Sequence, residues 1–71
     1  MRKHIMYKIE DGITLYHAGG GVWTNDMSRG FLMCDYSVAR GIADSQGYDL
    51  ISVMVDDDSL YDMSGRKVNQ A

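Results

Sequence analysis

The stretch from Asp35 to Val55 constrains this chain most, because it holds a helix start, a helix stop and two different hydrophobic periods in immediate succession. Asp35 suits an N-cap: its carboxylate can accept the free amide hydrogens of a first turn, and its charge complements the helix dipole. The spacing predicts a helix from about Tyr36, with Val38, Ala39, Ile42 and Ala43 as one apolar stripe and Ser37, Arg40 and Asp44 toward water. Gly47 is placed to end that helix in the left-handed conformation. The following run, Leu50-Ile-Ser-Val-Met-Val55, puts the β-branched Ile51, Val53 and Val55 on one side of a strand. Neither element is stable alone, so the helix stripe and that strand face are expected to cover one another.

Upstream, Ile5, Tyr7 and Ile9 alternate with Met6, Lys8 and Glu10 as a half-buried strand does. A second alternation follows Asp11-Gly12, with Ile13, Leu15 and His17 on one face. A two-residue Asp-Gly turn would pair Glu10 with Ile13 and set Leu15 beside Lys8. Matching apolar faces favours instead a three-residue loop, Glu10 to Gly12, pairing Ile9 with Ile13 and Tyr7 with Leu15. That register leaves Met6, Lys8, Thr14 and Tyr16 on the outer face. Val22-Trp-Thr24 reads as a strand, Asn25-Asp26 as a turn, Met27 to Gly30 as irregular chain or a helical turn and Phe31 to Cys34 as an extended lead into the helix. Trp23 and Phe31 are expected to cap the core beneath the helix. Leu60 to Met63 reads as a strand, Ser64-Gly65 as a turn, Arg66 to Val68 as a weaker strand or a frayed tail, and 69–71 as a disordered tail. The fold class is therefore α+β: an antiparallel sheet of three to five strands with one helix packed on one face, in the order ββ(β)αβ, as a single domain over residues 1–71.

A chain of 71 residues has a thin core, buries little more than about 60% of its unfolded surface and has scant room for a deep dry pocket. One cysteine, Cys34, excludes an internal disulfide and suits a reducing compartment, and with no membrane-length apolar run or signal-peptide core the expected location is the cytoplasm. The net charge of −3 is unevenly spread along the chain. Residues 1–34 carry four bases against three acids; residues 35–62 carry seven aspartates against Arg40 alone. Such a field repels nucleic-acid phosphates and attracts basic protein surfaces over a Debye length of about 8 Å.

The recognisable catalytic and ligand motifs fail on context. Gly19-Gly20-Gly21 lacks the helix N-terminus and Lys-Ser/Thr pair of a phosphate cradle. His4 and His17 carry no spacing that marks a triad, and Cys34 reads as a small hydrophobe. Asp56-Asp57-Asp58 lacks the alternation and closing Glu of a calcium loop, so no metal and no cofactor is expected. The same run lies near Asp44, Asp49 and Asp62, with Tyr48 and Tyr61 among them. Tyrosines beside carboxylates on a rigid support suit an interface with an Arg- and Lys-rich partner.

The Tyr-x-Ile strand, the Gly21-Val-Trp-Thr-Asn-Asp26 segment, Phe31, the capped helix with Ala39 to Ala43 and the Val-rich strand together resemble small bacteriophage-encoded ββαβ proteins, over about residues 7 to 56. Some of that class are anti-CRISPR or other host-takeover inhibitors that occupy a target's nucleic-acid-binding surface. The resemblance implies a non-enzymatic inhibitor acting in the host cytoplasm, with no direct nucleic-acid or membrane partner. Its acidic face would compete with nucleic acid for the basic groove of a host or defence protein. The residues expected to bind are Asp44, Tyr48, Asp49, Asp56, Asp57, Asp58, Tyr61 and Asp62. The alternative is a self-associating structural or adaptor module, a homodimer through an outer sheet face of Met6, Tyr16, Leu50 and Met54.

Overall fold

The helix forms where its caps place it. In the computed structural model, which describes residues 1–56, 59–61, 67 and 68, α1 runs Tyr36–Gln46. Asp35 Oδ1 accepts the Val38 amide at 3.2 Å. Gly47 (φ 77°) closes the other end in a Schellman arrangement, with the Tyr48 amide on the Ala43 carbonyl and its own amide on that of Asp44. Among the described residues five strands complete an α+β fold: β1 (Arg2–Glu10), β2 (Ile13–His17), β3 (Trp23–Thr24), β4 (Asp49–Asp56) and β5 (Ser59–Tyr61), with a 3-10 turn at Met27–Arg29. They form one antiparallel sheet in the order β3-β2-β1-β4-β5. The turn expected at Ser64-Gly65 and the tail at 69–71 lie outside the described residues.

The first hairpin departs from the expected register. Glu10 pairs with Ile13, Lys8 with Leu15 and Tyr7 with Tyr16, so the loop is the two-residue Asp11-Gly12. Both residues have positive φ, 53° and 77°, as a type I′ turn requires. Such a turn twists in the same sense as the strands it joins, and that backbone match outweighs the apolar pairing a three-residue loop would have gained. A slip of one residue exchanges the faces of every side chain on β2. Thr14 and Tyr16 consequently share a face with Tyr7, away from Met6 and Lys8.

The sheet is covered on both sides, by different means. One face carries Ile5, Val53 and Leu60 as a buried cluster, with Tyr16, Ile51, Val55, Met27 and Val68 packed on it. The chain after the 3-10 turn presses close here: a Cβ at Gly30 would stand 2.9 Å from Ile5 Cγ2, so only glycine fits. The other face presents His4, Met6 and Ser52, with α1 across it. The His4 Nδ1 lies 3.0 Å from Ser52 Oγ, and its ring meets Tyr36 edge-on at 5.2 Å. The helix therefore does not cover Ile51, Val53 and Val55, which point to the opposite side.

Within α1 only Ala39 and Ala43 are buried; Val38 and Ile42, expected in the same stripe, are exposed. Small side chains let the helix lie close on the sheet, and the branched pair is left at its margin. Ile9 is also exposed, because β1 runs past the covered part of the sheet at its hairpin end. The segment before α1 substitutes for β2 beside the first half of β1: Met33 and His4 exchange two backbone hydrogen bonds of 2.8 Å. Gly41, in the middle of α1, has open space where a Cβ would stand. Relative to alanine it weakens the helix by about 1 kcal/mol.

Candidate functional site

Antiparallel pairing decides where the aspartates go. Asp49 begins β4 and Asp56 ends it. Seven residue steps of strand separate them, about 23 Å at 3.3 Å per step, in a molecule whose longest extent is 32 Å. The described members of the expected set therefore divide between two ends. At one end stand Asp44, Tyr48 and Asp49. Asp44 is held by Arg40, with Oδ1 3.2 Å from Nε, and Asp49 is exposed opposite Tyr7. Tyr48 is half-buried against Trp23, with ring centroids 4.8 Å apart and edge to face, so its ring is spent on packing.

Asp56 and Tyr61 stand at the other end. Asp56 is exposed and pairs with Ser59; Tyr61 is half-buried, opposite Met54 and bridged to Lys67. Asp57 and Asp58 fall in sequence between Asp56 and Ser59, and, like Asp62, lie outside the described residues. The charge division seen along the sequence is softened in space here. The start of β1 lies along the end of β4, Arg2 opposite Met54 and Lys3 opposite Val53, which brings two cations to the end that carries Asp56.

A second cluster escaped the sequence reading. Trp23 lies between Tyr48 and His17, whose ring is 5.6 Å away, and Lys8 Nζ stands 4.4 Å above the indole. Phe31 meets His17 edge-on at 6.0 Å but is half exposed, not buried beneath the helix as expected. His17 Nδ1 is buried without a hydrogen-bond partner among the described residues. The signal was present in the pattern: with the two-residue turn, Lys8, Leu15, His17 and Trp23 fall on one face.

The corrected register also dissolves the outer apolar face proposed for self-association. Met6 is buried beneath α1, and Tyr16 is on the opposite side of the sheet with the Ile5 and Val53 cluster. Tyr16 has its phenol pushed above the usual value of 10.0, by burial first and by the neighbouring Tyr7 second. His17 and Cys34 stand in different surroundings, His17 among aromatic rings and Cys34 exposed, with Lys3 Nζ donating to its Sγ at 2.7 Å. Among the described residues no three His, Cys, Asp or Glu side chains are grouped to hold a metal, and no helix is long and apolar enough to cross a membrane. Compared with family models, curated proteins and solved structures, the chain matches none of them.

Proposed function

We propose that the chain is a non-enzymatic binding module for a basic protein surface, the manner of action of small phage-encoded inhibitors that exclude nucleic acid from a host or defence protein. Its acidic contacts are assigned to Asp56, at the end of β4, with its sequence neighbours Asp57 and Asp58 and the nearby Asp62 of the sequence, and not to the helix C-terminus. The observation that carries this choice is the different engagement of the two groups. At the helix end Asp44 is ion-paired and Tyr48 is packed, which leaves Asp49 as a single exposed carboxylate, whereas Asp56 is exposed, takes part in none of the three ion pairs among the described residues and is followed directly in sequence by Asp57 and Asp58. Asp56 is held in place by its pairing with Ser59, and a carboxylate so placed selects a partner by charge more than it adds raw affinity.

The test is capture from a bacterial lysate at low and at high salt, with the native chain and with Asp56, Asp57 and Asp58 changed together to Asn. A nucleic-acid-binding protein retained at low salt by the native chain and lost from the variant is the expected result. A partner retained equally by both chains, or released equally at low and high salt, overturns the assignment.

A further inference from the structure

The outward side of α1 has an order that the fold of one chain does not use. Ser37, Gly41 and Ser45 follow one another at four-residue intervals along its centre, Val38 and Ile42 line one margin, and Arg40 and Asp44 line the other. All seven are exposed, Val38 at 57% and Ile42 at 42%. Gly41 is the telling residue. It is helical, a Cβ on it would meet nothing within 4 Å, and alanine there would strengthen the helix. Packing among the described residues gives no reason for a glycine, but close approach of another backbone does.

We infer that this face binds a second copy of the chain, α1 against α1, antiparallel about a two-fold axis at Gly41. The axis sets Gly41 on its counterpart and Ser37 opposite the partner's Ser45. An antiparallel two-fold keeps like margins together, so Val38 meets the partner's Ile42 while Arg40 meets the partner's Asp44, each contact occurring twice. A parallel pairing would set the charged margin of one helix on the apolar margin of the other. Within one chain the Arg40–Asp44 pair is poorly placed, with its cation nearer the helix N-terminus and its anion in the last turn, against the dipole. A partner gives both groups a second counterion. Desolvation costs little at Ser45, whose hydroxyl already donates to the Ile42 carbonyl at 2.9 Å.

An eleven-residue helix is about 16 Å long and offers less than the roughly 800 Å² per partner of a standard interface. The dimer is therefore weak, populated between micromolar and millimolar protein. This inference stands apart from the acidic contacts assigned to Asp56 and its sequence neighbours. Sedimentation equilibrium over that concentration range tests it, on the native chain and on Gly41→Ala, Arg40→Asp and Asp44→Arg, with circular dichroism confirming the fold of each. Gly41→Ala is expected to melt later as a monomer yet to associate about tenfold or more weakly. Arg40→Asp and Asp44→Arg are each expected to be monomeric alone and to form a heterodimer when mixed, a rescue that pairing within one chain cannot give. A native chain that stays monomeric to millimolar concentration overturns the inference. So does a dimer that Gly41→Ala leaves unchanged, or a mixture of the two charge variants that stays monomeric.

Discussion

The two faces of the sheet hold the molecule together in opposite ways. The face without the helix is sealed by irregular chain, a 3-10 turn and Val68, yet it buries the large side chains Ile5 and Val53 completely. The face beneath the helix is covered by a long regular element, but the buried residues of that helix are two alanines, and the flexible Met6 and a histidine lie underneath. Regularity and cohesion are separate properties here. Burial of branched apolar side chains carries the energy, while the helix is set down on its side of the sheet through small contacts and leaves its own branched residues outside.

The sharpest way to break this comparison uses two adjacent positions on β4. Val53→Ala empties the first face and is expected to cost about 2–3 kcal/mol, lowering the melting temperature by roughly 10–20 °C for a domain of this size. Ser52→Ala touches only the second face, removing the partner of His4 Nδ1, and is expected to cost about 1 kcal/mol. Equal losses in thermal melts of the two variants would erase the distinction. Asp35→Ala removes the N-cap for about 1 kcal/mol. Its effect should be concentrated in amide exchange of the first turn of α1, with the amides of β1 and β4 following only the global change. The smallest effect concerns alkaline pH. The phenol of Tyr16 is raised above 10.0 in the folded chain, so the folded state holds that proton more tightly than the unfolded one. The resulting stability is complete below about pH 10 and is lost as pH rises through the folded value. Tyr16→Phe should flatten that alkaline decline in denaturant titrations, and a decline of the same slope in the variant would assign it to other groups.

The helix was legible to the residue because its limits are set by local chemistry, Asp35 at one end and Gly47 at the other. β4 was legible because three branched residues at alternate positions leave few other solutions. The hairpin was not, since hydrophobic matching and turn handedness pointed to different registers and the handedness of Asp11-Gly12 prevailed. That single slip placed Tyr16 on the wrong side and hid the cluster around Trp23. The helix stripe was half legible: spacing gives the direction of a stripe but not its centre, which close approach to the sheet moved to Ala39 and Ala43. The acidic run was visible as composition, but the placing of Arg2 and Lys3 at the end of β4 that carries Asp56 needed the β1–β4 pairing, which links residues some fifty positions apart.

The brevity of the border strands, two residues in β3 and three in β5, bears on how the protein behaves when crowded. A chain with no proline lacks a common blocker of strand addition. Among the described residues the β3 rim offers two residues and the β5 rim is already met by Lys67 and Val68, whose amide donates to the Leu60 carbonyl, so an incoming strand finds little to zip onto, which disfavours fibre growth and ribbon-like stacking. Whatever company this protein keeps, it has to choose through side chains.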